Sequence, residues 1–346
     1  MTHRLVVAAR PAEAAQAARL LEPIEAKLAA TEAVYRARIA SDVPFIRKAG
    51  EYIFSGGGKR MRPALLLLCA KLLEEESGGE RAAGAEEDVT YAAVVEFIHT
   101  ATLIHDDIID HADLRRGRRT VHAIWGSNLT VLLGDWLYTT AMRMALEHDN
   151  LRVIDRLCEA TLRMTEGELL ALERLGAPDL TSEEYFEIVD RKTAALFSAA
   201  CAIPALMRPV RQEAIAPLER FGRELGTCFQ LVDDLLDYTA RESELGKPVL
   251  SDLKEGKLTL PLLLALPRLS AAERGAVESV LEDRAFVRTS ADEILALVRR
   301  EGTLAEVNEL AERHGARARE ALAPLADGDA RQALELAPEF VLRRRS

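Results

Sequence analysis

Residues 99–119 read HTATLIHDDIIDHADLRRGRR, and residues 228–247 read CFQLVDDLLDYTARESELGK. Each stretch holds an aspartate triplet, D-D-x-x-D, in an apolar, proline-free run that predicts a helix. The triplets are Asp106, Asp107 and Asp110, and Asp233, Asp234 and Asp237. Residues four apart on a helix share a face, so the first and last aspartate of each triplet are expected to lie together.

Leu, Ile, Val and Phe surround both triplets, whereas Lys and Glu would surround a solvated acidic face. Two like charges about 4 Å apart repel by about 4 kcal/mol at an effective dielectric near 20. Mg²⁺ relieves such repulsion, because it prefers hard oxygen ligands and takes one or two carboxylates plus substrate phosphates. The triplets therefore predict a paired metal–phosphate site; two coincidental acidic faces are the alternative.

Composition predicts an all-α fold. The chain has 346 residues, of which 49% are hydrophobic and only 5% aromatic, and Ala and Leu dominate. No break in composition separates two domains, and residues 74–88 are expected to form a surface loop. Helical periodicity recurs in Ala14–Leu21, Ile24–Ala40, Leu65–Leu73, Tyr91–Ile109, Leu129–Leu146, Leu151–Leu172, Thr193–Ile203, Leu218–Tyr238 and Ala291–Val298.

Charge and cysteine content narrow the function classes. A formal net charge of −11 argues against a nucleic-acid partner. The four scattered cysteines indicate buried thiols in a reducing compartment. No apolar run reaches membrane-spanning length, and the first residues lack a signal pattern, so the expected location is cytoplasmic.

Basic residues cluster at two places in this acidic chain. Residues 56–63 read GGGKRMRP, in which the glycines let backbone N–H groups approach an anion and Lys59, Arg60 and Arg62 offer cations for phosphate. A helix starting near Pro63 would add its N-terminal dipole. An exposed basic turn is the alternative. The second cluster, residues 115–119, directly follows the first triplet.

Other polar residues lie in register with the triplets. His99 precedes Asp106 by two helical turns, and Lys192–Thr193 is expected to open a helix of small residues. Gln230 precedes Asp233 by three residues. The following Gly- and Pro-bearing loop carries Lys247 and Lys257, and it predicts a lid over phosphates.

Together these segments resemble the trans-isoprenyl diphosphate synthase (polyprenyl synthetase) family. The resemblance implies one domain over residues 1–346, with a motif-bearing core at about 54–261. It also implies an all-α bundle around a deep central cavity and, usually, a homodimer. The segments that carry it are GGGKRMRP, EFIHTATLIHDDIID followed by LRRG, LLGDWLY, RKTAALF, and QLVDDLLDY followed by DLKEGKLTLP.

The implied reaction is head-to-tail condensation of isopentenyl diphosphate with an allylic diphosphate such as farnesyl or geranylgeranyl diphosphate. Three Mg²⁺ ions would assist ionisation, bound by Asp106, Asp107, Asp110, Asp233 and Asp237, and Asp234, Lys192 and Lys257 would complete the catalytic set. Isopentenyl diphosphate would bind Lys59, Arg62, His99 and Arg116, beside Arg60. The allylic diphosphate would contact Arg115, Lys192, Thr193, Gln230, Lys247 and Lys257.

In this family, bulky residues four and five positions before the first aspartate stop chain elongation early. Thr102 and Ala101 are small here, which implies a long product of roughly C30 to C50, centred on octaprenyl. A shorter-chain farnesyl or geranylgeranyl diphosphate synthase is the alternative. Two departures stand out: Leu250–Ser251 where the family often has Gly–Asn, and Ala171 in place of a frequent glutamine after GELL.

Three other functions are alternatives for this sequence. A terpene cyclase would share the fold, but it would normally carry a different second metal motif and would not need GGGKRMRP. An HD-type phosphohydrolase would use His99, His105 and His111 and leave the second triplet without a role. A non-catalytic synthase subunit would generally lack the triplets. The arginines at 343–345 are expected to form a solvated tail rather than to contact the isopentenyl site.

Overall fold

The computed structural model describes residues 11–57, 60–76, 85–115, 117–239 and 249–344. Three of the predicted anion-binding residues, Lys59, Arg116 and Lys247, lie outside these ranges. The structure of the described residues is almost entirely helical, which confirms the predicted all-α class.

The helices follow one another closely. They are α1 (Pro11–Leu21), α2 (Glu25–Arg38), α3 (Pro44–Ser55), α4 (Met61–Glu76), α5 (Ala85–Ile109), α6 (Val121–Trp125), α7 (Ser127–Leu146), α8 (Leu151–Glu173), α9 (Ser182–Val189), α10 (Ala195–Leu206), α11 (Ile215–Thr239), α12 (Ser251–Lys254), α13 (Leu260–Ala265), α14 (Ala271–Asp283), α15 (Ala291–Glu301), α16 (Thr303–Ala321) and α17 (Asp329–Leu342). A π turn, Asp190–Ala194, joins α9 to α10. Short 3₁₀ turns cover Glu22–Ile24, Pro209–Ala214 and Leu266–Arg268.

One β-hairpin follows the first triplet within the described residues. Its strands are β1 (Leu114–Arg115) and β2 (Arg118–Arg119), paired antiparallel with Leu114 opposite Arg119. Gly117 lies between them at φ +70°, a left-handed conformation that glycine adopts without a steric penalty. The hairpin carries the basic cluster back toward α3, because the Tyr52 hydroxyl donates to the Arg119 carbonyl at 2.7 Å.

Each predicted helical segment coincides with a helix over most of its length. The exceptions are Ile24, which lies in a 3₁₀ turn, the last two residues of the segment that ends at Ala40, and Thr193 and Ala194, which lie in the π turn. The prediction missed α3, α6, α9, α12, α13, α14, α16 and α17. In α16 and α17 the sequence contains two weak helix formers, Gly315 and Pro338. The structure packs them together: a Cβ on Gly315 would lie 3.3 Å from the Pro338 Cβ. Contact between the two helices therefore explains why Gly315 and Pro338 occur within them despite their low helix propensity.

The prediction of a surface loop over residues 74–88 is wrong at both ends of this range. The helix α4 continues to Glu76, and α5 begins at Ala85. Acidic residues in the first turn of α5 suit the positive end of the helix dipole. Asp88 is moreover completely buried, where Lys27 of α2 and Arg208, which follows α10, contact it.

The core is built around α4, α5, α10 and α11. Every residue of α10 is buried, so this helix has no solvated face. Glycines let α11 approach it closely: a Cβ on Gly222 would lie only 2.4 Å from the Phe197 carbonyl oxygen. The same close approach recurs at Gly226, where a Cβ would lie 2.8 Å from the Ala194 Cα. This contact places the second triplet, near the end of α11, beside the π turn.

The four cysteines are all free thiols, and Cys69, Cys201 and Cys228 are buried as predicted. The prediction is wrong for Cys158, which is exposed because its side of α8 faces away from the core. Among the residues that the structure covers, no helix is both long and apolar enough to span a membrane.

A buried ion-pair network fixes the start of α5. Arg208, after α10, donates to both carboxylate oxygens of Asp88, at 3.2 and 2.9 Å. Lys27 of α2 contacts the same carboxylate at 3.2 Å and Glu74 of α4 at 2.7 Å. The network thus joins three helices and the residues that follow α10, and its central carboxylate has no contact with solvent.

We expect Asp88→Ala to destabilise the protein by about 3–5 kcal/mol, because it leaves Arg208 buried without its partner. Urea denaturation followed by circular dichroism measures the change. The control is Glu147→Ala, which breaks the exposed pair with Arg38 and should lower the unfolding free energy by no more than about 1 kcal/mol. Equal effects in the two variants would contradict this prediction.

Candidate active site

The first triplet lies at the C-terminal end of α5, and its members differ in exposure. Asp106 and Asp110 are partly accessible, with 21% and 15% of their side chains exposed. Asp107 is buried and accepts a hydrogen bond from the Arg115 Nε at 2.6 Å. Asp106 and Asp110 thus share the accessible face that the i, i+4 spacing predicts.

Cations contact both accessible members of this triplet. The Lys192 Nζ lies 3.8 Å from an Asp106 oxygen, and the Lys257 Nζ lies 2.8 Å from an Asp110 oxygen. Burial raises the pKa of Asp106 to about 6, against the lowering effect of Lys192. Burial alone would lower the pKa of Lys257, but Asp110 and Glu255 raise it above its ordinary value.

The second triplet lies near the C-terminal end of α11. Asp233 is the accessible member, with 37% of its side chain exposed, whereas Asp234 and Asp237 are buried. The Arg344 Nη2 contacts an Asp233 oxygen at 2.9 Å, and its guanidinium lies 4.3 Å over the Phe229 ring. The expectation of a solvated C-terminal tail is therefore wrong for Arg344, which is only 12% exposed.

Asp234 is held by neighbouring side chains. The Tyr185 hydroxyl donates to one carboxylate oxygen at 2.5 Å, and the Gln230 amide donates to the other at 2.8 Å. The Thr193 hydroxyl in turn donates to the Gln230 carbonyl at 2.8 Å. Burial, followed by repulsion from Asp252, raises the pKa of Asp234 to about 7. This arrangement suits a buried support for the site better than a metal ligand.

Asp237 anchors the segment that follows α11. Its Oδ1 accepts hydrogen bonds from the Ser251 hydroxyl at 2.8 Å and the Ser251 N–H at 3.2 Å, and its Oδ2 accepts from the Asp252 N–H at 3.2 Å. Leu250, where the family often has glycine, adopts φ +55° and is completely buried. Burial of a leucine side chain, worth about 1.5–3 kcal/mol, offsets the cost of the left-handed backbone.

Lys192 and Thr193 lie inside the π turn and do not open a helix as expected, because α9 continues through this turn into α10. Such turns are frequent at functional sites. Behind the turn, a Cβ on Gly167 of α8 would lie 2.6 Å from the Lys192 backbone nitrogen. The turn also joins the triplets, since Lys192 contacts Asp106 and Thr193 reaches Asp234 through Gln230.

A second bridge between the triplets is the segment after α11. Asp237 anchors it at Ser251 and Asp252, and Lys257 at its other end contacts Asp110. Both triplets therefore lie at one site, although their helices are distant in sequence.

The two described arginines of GGGKRMRP have separate environments. Arg62 is buried with its guanidinium 4.3 Å over the Phe197 ring, and burial lowers its pKa to about 10. Its Nε has no hydrogen-bond partner among the described residues. Arg60 instead contacts Glu96 at 2.5 Å and lies 5.4 Å over the Tyr35 ring. The geometry of Arg62 therefore suits an incoming anion more than that of Arg60 does.

The remaining predicted residues lie on α5, before the first triplet. His99 is half-buried, and its carbonyl accepts a hydrogen bond from the Thr102 hydroxyl at 2.9 Å. Ala101 is buried, with 3% of its surface exposed. The anion-binding role of His99 and the product-length role of Ala101 therefore stay predictions.

Four residues of the site were not assigned from the sequence: Glu96, Glu168, Tyr185 and Arg344. Glu168 belongs to the GELL segment. The one feature of the sequence that pointed to this segment was the departure from the family pattern at Ala171, directly after it. Arg344 belongs to the basic C-terminal tail, for which the sequence allowed two interpretations, a solvated tail or a contact with the isopentenyl site. Tyr185 and Glu96 gave no signal, since their roles depend on contacts across the fold with Asp234 and Arg60.

The carboxylates fit Mg²⁺ by their chemistry rather than as a ready-made cage. Within the described ranges, no three His, Cys, Asp or Glu side chains converge closely enough to hold a metal by themselves. Mg²⁺ requires only one or two carboxylates when phosphates and water supply the other oxygens. Asp106, Asp110 and Asp233 offer such oxygens and are the accessible members of the triplets.

A helical bundle that brings two aspartate triplets and several cations together defines a metal-dependent enzyme acting on diphosphates. The polyprenyl synthetase family model matches residues 43–298, and the chain belongs to this family. The family assignment confirms the predicted resemblance and identifies the chain as a Mg²⁺-dependent prenyltransferase.

Similarity to individual relatives supports this family assignment. The chain is 39% identical to the octaprenyl diphosphate synthase of Escherichia coli K12 over 307 residues, 89% of this chain and 92% of that one. It is 37% identical to a short chain isoprenyl diphosphate synthase of Methanothermobacter thermautotrophicus, over 86% of this chain and 90% of that one. A polyprenyl synthase of Caulobacter crescentus CB15, solved with calcium and isoprenyl diphosphate, superposes with a TM-score of 0.88 at 35% identity, covering 95% of this chain and 98% of that one.

Proposed function

We propose that the chain condenses isopentenyl diphosphate with farnesyl or geranylgeranyl diphosphate and releases an all-trans product of roughly C30 to C50, centred on octaprenyl. The observation that carries the proposal is the double bridge between the triplets, through the π turn and through Lys257. A single site with carboxylates and cations from both halves of the chain suits an allylic diphosphate held by metal and by lysine together. The relatives include both an octaprenyl and a short-chain synthase, so the comparisons do not determine product length.

In this proposal Asp106, Asp110 and Asp233 hold Mg²⁺, three ions in all, through their accessible oxygens. The metal would neutralise charge on the departing pyrophosphate. Asp107, Asp234 and Asp237 act mainly as supports, because each of them already accepts hydrogen bonds from the protein. Asp107 fixes Arg115, while Asp234 and Asp237 fix α11 against the π turn and the following segment.

The lysines exchange partners when substrate binds. Lys192 and Lys257 contact carboxylates in the structure, and a diphosphate between the triplets would offer both ammonium groups a more highly charged partner. The raised pKa of Lys257 keeps it charged throughout the neutral pH range. Arg115 and Gln230, held by Asp107 and Asp234, would complete the allylic diphosphate site.

Isopentenyl diphosphate is proposed to bind on the Arg62 side. A buried guanidinium with an unpartnered Nε is poised to pair with an anion. His99, Lys59 and Arg116 remain predicted partners of the same diphosphate. The C4 alkene would then attack the allylic cation, and the proton lost afterwards would pass to pyrophosphate, so the protein needs no nucleophile.

We expect Asp106→Ala to lower kcat by about 10²–10³, because it removes an accessible carboxylate from the proposed metal site. Product formation from radiolabelled isopentenyl diphosphate at saturating Mg²⁺ measures the effect. Asp179→Ala, an aspartate 79% exposed beside Arg174, is the matched control and should retain full activity. Full activity of Asp106→Ala would refute the assignment.

Ala101→Phe should shorten the product sharply. Ala101 is buried on the α5 helix one turn before the triplet, so a phenyl ring there would obstruct the path of the growing chain. Mass spectrometry of products made from farnesyl diphosphate gives the length distribution. Ala272→Phe, at an exposed position of α14, is the control and should leave product length unchanged. An unchanged distribution for Ala101→Phe would eliminate this position as the length determinant.

A homodimer is the assembly we propose. Leucines on the outer sides of α7 and α8 are unusually exposed: Leu132 by 65%, Leu162 by 61% and Leu169 by 56%. Exposed apolar residues on two helices that contact each other are candidates for a protein–protein contact. Two-fold pairing of this surface with a second copy would bury them.

Leu162→Glu should convert the proposed dimer to monomer, because it would place a charge in an apolar contact. Sedimentation velocity measures the mass. Val287→Glu, at a residue 75% exposed between α14 and α15, is the control and should sediment as the native protein does. A Leu162→Glu protein with native sedimentation would argue against this interface.

We also propose a cytoplasmic location. The four cysteines, all free thiols in the structure, support it, since thiols persist in reducing compartments. Activity in the soluble fraction of lysed cells would be consistent with the proposal, and recovery only after secretion would oppose it.

A further inference from the structure

Glu168 on α8 lies directly behind the lysine of the π turn. The preceding residue, Gly167, lets the α8 backbone touch the Lys192 backbone nitrogen. The Glu168 carboxylate forms a close ion pair with the Lys192 ammonium, and only 13% of its side chain is exposed. The Asp106 carboxylate lies farther from the same ammonium, at 3.8 Å. Lys192 therefore sits between two carboxylates and is held mainly by Glu168.

The closer pairing of Lys192 with Glu168 than with Asp106 has a chemical consequence. Asp106 is an accessible carboxylate of the first triplet, and an ammonium paired closely with it would neutralise charge that the proposed metal site needs. Glu168 draws Lys192 away from that carboxylate while leaving 30% of the lysine side chain exposed. The ammonium can then face a diphosphate without blocking Asp106.

No neighbouring side chain on the same face of α8 can replace Glu168. Ala171, one turn later, has no polar group. Glu166 points elsewhere and pairs with Arg191, with 42% of its side chain exposed. Three ion pairs thus join α8 to the π turn, since Arg163 also pairs with Asp190, and the pair formed by Glu168 involves the residue proposed to bind substrate.

We propose that Glu168 is a positioning residue that holds the Lys192 ammonium off Asp106 and toward the allylic diphosphate. This inference rests on the role of Lys192 given under the proposed function. Glu168 itself does not touch substrate. Its loss should weaken binding of the allylic diphosphate and leave the isopentenyl site unaffected.

The test compares Glu168→Gln with Glu166→Gln, which removes the neighbouring ion pair between the same two elements. Calorimetric titration with a non-ionising farnesyl thiodiphosphate in Mg²⁺ measures allylic affinity without turnover. We expect a weakening of about tenfold for Glu168→Gln, the usual scale of one charge-assisted interaction, and less than about twofold for Glu166→Gln. The KM for isopentenyl diphosphate should be unchanged in both, and Glu168→Asp should recover part of the affinity.

A Lys192→Met variant tests the substrate-binding role of Lys192 separately from the positioning role of Glu168. If Lys192→Met weakens allylic binding and Glu168→Gln adds nothing further in that background, the two residues act as a unit, as proposed. Unchanged allylic affinity in Lys192→Met would refute the role of Lys192 and the present inference with it. A weakened Lys192→Met beside an unaffected Glu168→Gln would refute the inference alone.

Folding is monitored by melting temperature in every variant. Parallel losses of melting temperature and of affinity for both substrates in Glu168→Gln would indicate a structural role and would also overturn the inference. A native melting temperature together with a selective allylic defect would support it.

Discussion

The constraint on which this structure depends is the repulsion among six aspartates at the ends of two largely buried helices. Each carboxylate is met by a positive or hydrogen-bonding group from another part of the chain: Lys192, Arg115, Lys257, Arg344, the Tyr185 hydroxyl and the Ser251–Asp252 backbone. These contacts draw α9, the π turn, residues 249–257 and the residues just after α17 toward one site. The charge requirement of the chemistry thus also organises the bundle.

The two triplets have the same spacing but unequal roles, and the difference lies in packing. At the end of α5, the first and last aspartates remain accessible and the middle one is buried. In α11, both later aspartates are buried, because that helix packs against α10 and because Asp237 accepts hydrogen bonds from Ser251 and Asp252. Spacing on a helix determines which residues share a face, but the neighbouring elements determine whether that face is open.

Much of the fold and of the site could be predicted from the sequence. Apolar periodicity located the long central helices, and the aspartates with their basic neighbours located the site. What escaped prediction depends on contacts distant in sequence. Asp88 is helical and buried because Arg208, 120 residues later, pairs with it. Lys192 lies in a π turn because Gly167 admits it, and Arg344 reaches Asp233 only once α17 has packed. No local pattern contains such information.

The segment around Leu250 shows how a departure from a family pattern can be accommodated. A left-handed backbone normally favours glycine, yet leucine occupies it here with its side chain wholly buried. The neighbouring Ser251 supplies a hydroxyl to Asp237 in addition to its backbone N–H. The strain of one residue is thus offset by apolar burial and by an added hydrogen bond at the next. Because Lys257 lies at the end of this segment, the same contacts also fix where its ammonium meets the first triplet.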